Sequence, residues 1–121
     1  MSMQAVLETI YGLGRLAFGA GLLAAPSKVG GLLLGEQPDS AARIALRSYG
    51  TRDVVLGLGL LQAVAGEGDT RPWLAASVAS DALDTVVQLG EWSDLPPDRR
   101  LLGVLAALGA GGTGAVLLVR R

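Results

Sequence analysis

The run Leu101–Val119, LLGVLAALGAGGTGAVLLV, holds 19 residues and no charge. At the helical rise it spans about 28 Å, close to the thickness of a bilayer's hydrocarbon core. Arg99-Arg100 precede it and Arg120-Arg121 follow it, at the positions lipid headgroups would occupy. Within it Gly103, Ala107, Ala110 and Gly114 share one helical face, a small-residue seam of the kind that lets helices touch. Such a run predicts a membrane helix. Going upstream, Trp73 and Trp92 stand 19 residues apart on a second apolar span, again about 28 Å, as two interfacial belts would.

Composition agrees with that start. Half of the 121 residues are apolar, only 4% are aromatic and 18 are Gly; the mean hydropathy is +0.46. A small water-exposed core draws its stability from large side chains, whereas each Gly inside a helix costs about 0.5–1 kcal/mol against Ala. Between bilayer helices the same glycines favour close approach. The chain has no Cys and no His, which excludes disulfides, thiol nucleophiles, imidazole acid–base chemistry and Cys/His metal sites. Ten basic residues against eleven acidic ones leave no basic stripe for nucleic acid. No cofactor motif appears; Gly109–Gly114 is glycine-rich but lacks the lysine of a phosphate loop and sits inside an apolar run.

Four helical segments follow from the turn residues: about Gln4 to Ala25, ended by Pro26; about Ser40 to Ala65, capped by Asp39 or Ser40; Pro72 to near Trp92; and about Asp98 to Val119. Lys28 to Pro38, Gly66–Asp69 and Ser93–Pro97 read as connections. The expected fold is all-α: an antiparallel four-helix transmembrane bundle, one domain over 1–121, multi-pass in the cell membrane. In the competing reading, the first three helices turn their charges to water around a buried fourth.

Charged residues inside apolar helices are the candidate site. Ser77, Asp81, Asp84, Gln88 and Glu91 lie within about 80° of helical arc, with Asp81 and Asp84 one turn apart. Two neighbouring carboxylates repel, so one should keep its proton near neutral pH, as paired acid–base chemistry requires. Arg47 is the first choice of partner for these acids, with Arg52 and Asp53 deeper in the same helix. In the first helix Glu8, Tyr11 and Arg15 share a face. Tyr49 is a further donor.

The run Gly50-Thr51-Arg52-Asp53-Val54-Val55-Leu56-Gly57, with Asp81-Ala82-Leu83-Asp84, resembles the Gly-x-Arg-Asp-x-x-x-Gly and Asp-x-x-Asp motifs of a family of small bacterial four-helix membrane proteins of unknown function. The resemblance implies membrane location and functional weight on Gly50, Arg52, Asp53, Asp81 and Asp84; it implies no activity.

The reading drawn from these residues is an intramembrane polar site that binds or transforms a lipophilic small molecule. Asp81, Asp84, Arg47, Arg52 and Asp53 are the catalytic candidates, and Glu8, Tyr11, Arg15, Tyr49 and Gln88 the binding candidates. Acid–base opening of an epoxide, or a cyclisation, is the most concrete chemistry for carboxylates working without His, Cys or metal. One alternative is an accessory membrane subunit whose buried charges are ion pairs, homo-oligomeric through its glycine seams. Another is a proton-coupled transporter using Glu8. Membrane lipid and a second copy of the chain are the other expected partners.

Overall fold

Ser2 starts the first helix, its hydroxyl accepting from the Ala5 N–H at 3.0 Å. In the computed structural model, which describes residues 1–121, α1 then runs Met3–Ala24. Pro26 breaks the ladder because it has no N–H to donate, and the same residue opens α2, Pro26–Leu34, in the first-turn position proline favours. Gly35, at φ +76°, ends α2 in the left-handed conformation that a Cβ disfavours. Asp39 caps α3, Ser40–Ala65, by accepting from the Ala42 N–H at 2.8 Å. α4, Arg71–Gly90, begins with Pro72 in its first turn and is followed by a short 3₁₀ turn at Trp92–Asp94. α5 covers Arg100–Val119.

Successive long helices run antiparallel and pack as two hairpins. α1 and α3 form one and α4 with α5 the other, while contact between the hairpins is sparse. Glycines set the first hairpin's spacing. A Cβ on Gly19 would lie 2.5 Å from the Gly50 carbonyl oxygen, one on Gly50 2.7 Å from the Gly19 oxygen, and one on Gly57 2.8 Å from the Gly12 oxygen. The two backbones are therefore in direct contact along one seam. In the second hairpin, Gly103 packs under Gln88 and Gly111 under Asp81, while Gly114 meets Val78 and the Tyr11 hydroxyl of α1. The core is small: Leu60, Leu74 and Leu117 form one cluster, joined by Leu7, Tyr11, Val64, Trp73 and Leu118. Seven apolar side chains are buried, and six polar or charged residues are buried beside them. With so few apolar contacts, pairing of those buried charges decides whether the bundle holds together.

This architecture corrects the expected four-helix transmembrane bundle. There are five α-helices, the fifth being α2, where a connection was expected. Two helices, Met3–Ala24 and Arg100–Val119, are long and apolar enough to cross a membrane. α3 and α4 are not apolar enough: the first carries Arg43, Arg47, Arg52 and Asp53, and the second mixes Asp81 and Asp84 with Ser77, Ser80, Thr85 and Gln88. The multi-pass membrane location and the resemblance to four-helix membrane proteins fall with the four spans. Nor do the two tryptophans form belts. The Trp73 ring lies across Gly59, and Trp92 sits in the 3₁₀ turn beneath the Arg100 guanidinium, 5.7 Å from its ring centre.

Candidate functional site

Arg15 is the centre of the polar interior. It lies in α1 three to four residues from Gly12 and Gly19, the two points where α1 touches α3, so its side chain enters the junction of the hairpins. Its Nη1 donates to Asp53 Oδ1 of α3 at 2.8 Å. Its Nη2 donates to Asp81 Oδ2 of α4 and, at 3.2 Å, to the Tyr11 hydroxyl. Tyr11 in turn donates to the Ala110 carbonyl of α5 at 3.1 Å. One guanidinium thus joins α1, α3 and α4 directly, and α5 through a tyrosine. The side chains of Arg15, Asp53 and Asp81 are only 5%, 5% and 3% exposed.

A second arginine extends the chain of charges. Arg52 grips Asp84 in bidentate fashion, Nη1 to Oδ1 at 2.9 Å and Nη2 to Oδ2 at 2.8 Å. It also reaches Asp53 Oδ1 at 3.3–3.4 Å and lies over the Tyr49 ring, 4.2 Å from its centre. Phe18 meets that ring edge-on. The charges alternate in the order Asp81, Arg15, Asp53, Arg52, Asp84, so every acid in the row touches a guanidinium. Planar forks with two donors to a side suit this better than ammonium groups would.

Burial pushes the Asp53 and Asp81 carboxyls above the ordinary aspartate value, and the charge of Arg15 works against that rise. Burial also opposes the charge on Arg15, but Tyr11, Asp53 and Asp81 together hold its guanidinium above its usual value. The bonds to Asp84 do the same for Arg52 against its partial burial. Burial raises the Tyr49 hydroxyl as well, leaving it protonated and neutral.

Glu8 belongs to a separate cluster. Fully buried, it accepts from Gln4 Nε2 at 2.9 Å, from the Thr70 hydroxyl at 3.1 Å and from Arg121 Nε at 2.7 Å. Thr70 stands at the N-terminus of α4 and makes no side-chain cap there, because its hydroxyl points to Glu8 instead. Desolvation favours the neutral form of Glu8; the bonds from Arg121, Gln4 and Thr70 outweigh it and hold the carboxyl below the ordinary value. Glu8 thereby ties α1 to the α3–α4 connection and to the end of α5. Arg121 is a partly exposed partner, so its contribution is screened. Arg121→Gln should lower stability by about 1–2 kcal/mol, with a smaller loss in high salt, as thermal melts at two salt concentrations would show.

Arg47 is exposed and makes no side-chain ion pair; its carbonyl accepts from the Thr51 hydroxyl. The arginine that meets an α4 carboxylate on the α3 side is Arg52. Asp81 and Asp84 do not form the expected dyad, since each is taken by a different arginine. Arg121, expected as a membrane flank, pairs instead with Glu8, a contact that arises only from the fold. Ser77 of the predicted stripe is buried with its hydroxyl unpaired, and Glu91 is exposed.

A cavity of about 560 Å³ separates the hairpins. Ile10, Phe18, Leu34, Leu46 and Ala106 give it apolar walls, and Arg15, Asp53 and Asp81 reach it from one side. Tyr11, Tyr49 and Gln88 also line it, whereas Glu8, Arg47, Arg52 and Asp84 do not. No family model matches the chain, and neither a curated protein nor a solved structure matches it significantly.

Proposed function

We propose that this chain is a non-catalytic helical accessory protein, whose interior charges hold the helices in register and whose work is done by its surface. The observation that carries this reading is Arg15 bridging Asp53 and Asp81 with all three side chains almost wholly buried. A proton-transfer pair needs two carboxylates facing one substrate with their pKa values driven apart. Here Asp81 and Asp84 lean on different cations, and Asp53 is shared between Arg15 and Arg52. The acid–base membrane site expected above is therefore set aside in favour of ion pairs that fix geometry.

Buried ion pairs that only fix geometry can be replaced as a group. Substituting apolar residues of similar size for a whole buried set is often neutral or stabilising, while removing one member is costly. The triple variant Arg15→Met, Asp53→Leu, Asp81→Leu should keep the helical circular dichroism and the melting temperature of the parent. It should also replace the parent gene in cells deleted for it. A triple variant that folds equally well yet fails to complement would assign the charges a chemical task and sink the reading.

A further inference from the structure

The total accessible surface is 6897 Å², whereas a compact monomer of 12.3 kDa exposes about 6,100 Å². The excess, about 800 Å², includes the walls of the interior cavity as well as apolar outer faces. Six of the nineteen exposed large apolar residues are on α5, more than on any other helix. Leu101, Leu105, Leu108 and Val116, each 54–64% exposed, line up with Gly112 on its outer face. Nothing lies within 4 Å of the Cβ position at Gly109 or Gly112, so another helix can come close there. Beside this stripe runs a groove of about 600 Å³, bordered by Leu7, Ile10, Leu108, Val116 and Arg120.

The ends of α5 carry opposite charges without partners. Before its N-terminus, Glu91 and Asp94 are exposed side by side with no cation on either. Their mutual hydrogen bond and repulsion raise the Glu91 carboxyl above its usual value. At the C-terminus Arg120 is exposed and makes no ion pair. Arg99 and Arg100 do not neutralise the acids: Arg99 pairs with Asp98 and borders the cavity, and Arg100 donates to the Trp92 and Leu95 carbonyls. A 20-residue helix is about 30 Å long, so acids and arginine cannot meet within one chain.

We infer that the outer face of α5 is covered by a second copy of this chain, the two α5 helices lying antiparallel about a two-fold axis near Ala110–Gly111. That axis brings Arg120 to the acidic end of the other copy, and by symmetry makes the contact twice. It sets Gly109 against the partner's Gly112 and Leu105 against the partner's Val116, at the groove. The inference rests on the outer surface and is independent of the interior ion pairs.

Sedimentation of the purified full chain over a concentration series tests it, with a dimer of twice 12.3 kDa expected. Leu105→Glu with Leu108→Glu, both at exposed positions, should keep the helical signal and raise the dimer Kd at least 100-fold. Arg120→Glu should weaken the dimer several-fold, and adding Glu91→Arg and Asp94→Arg should restore it. Because the chain contains no cysteine, Gly112→Cys gives a second reading that does not depend on affinity. A short bis-maleimide should join its thiol to that of the second copy, about one helical turn away across the axis, whereas Ala79→Cys, exposed on α4, should not be joined. A monomer at all concentrations with no Gly112→Cys cross-link would overturn the proposal. So would a dimer indifferent to the α5 substitutions, or a monomer that floats with phosphatidylcholine vesicles, whose lipid would then be what covers this face.

Discussion

Arg15→Met should cost about 3–5 kcal/mol, the largest loss expected from any single side chain here, because it strands the buried Asp81 and leaves Asp53 only its longer contact with Arg52. Domains of this kind have about 5–15 kcal/mol in total, so the variant should melt far below the parent or be partly unfolded at room temperature. Its pH dependence identifies the cause. In the parent, Asp53 and Asp81 already titrate above their unfolded value of 3.8. The folded state then holds protons that the unfolded state has released, so these two groups cost stability at neutral pH. That cost shrinks once pH falls below their folded pKa values and is gone below the unfolded value of 3.8. Without Arg15 both folded values rise further, and the window in which acid stabilises the protein moves up towards neutrality. The variant should therefore gain more stability than the parent between pH 7 and mild acid, by urea denaturation at each pH. Glu8 works in the opposite direction. Its carboxyl lies below 4.5 in the folded state, so its contribution is present above that value and lost as pH falls through the folded one. A variant whose deficit is the same at every pH would show that lost packing, and not stranded charge, is the cause.

How much of this was legible differs from residue to residue. Pro26, Asp39, Pro72 and Gly66 act through the local backbone, and they bound α1, α3 and α4 where a linear reading places them. α2 escaped that reading because its nine residues include Gly30-Gly31 and its signals are only the bracketing Pro26 and Gly35. The membrane reading failed for a different reason. Hydropathy counts apolar residues but does not say what they touch, and α3 and α4 carry charges whose partners lie on other helices. Arg52 and Arg15 were both singled out, yet choosing between Arg47 and Arg52 as partner of an α4 acid depends on the rotation of α3 against α4. No periodicity within one helix contains that angle. The pairing of Glu8 with Arg121 spans 113 positions, and likewise has no local signature.

The placement of α1 on α3, and with it the Arg15–Asp53 pair, is set by the glycine seam, which makes Gly19→Ala the most informative backbone-level test. The added Cβ would fall 2.5 Å from the Gly50 carbonyl oxygen, 2.8 Å from the Val54 nitrogen and 3.0 Å from the Asp53 Cβ. Two of those atoms are main chain, so no side-chain rotation relieves the clash and α1 must move away from α3. Overpacking of this kind costs about 1–3 kcal/mol, and occasionally more. Here the loss should reach about 3 kcal/mol or more, since the same displacement lengthens the Arg15–Asp53 bond and weakens a buried ion pair. Gly14→Ala is the matched control. It lies on the same helix, with nothing within 4 Å of its Cβ position, and helix propensity alone should raise stability by about 0.5–1 kcal/mol. Denaturant midpoints should therefore move in opposite directions for two identical substitutions five residues apart. A double-mutant cycle between Gly19→Ala and Asp53→Asn should show strong coupling. If the two losses simply add, the seam and the ion pair are independent, and the glycines do not position the charges.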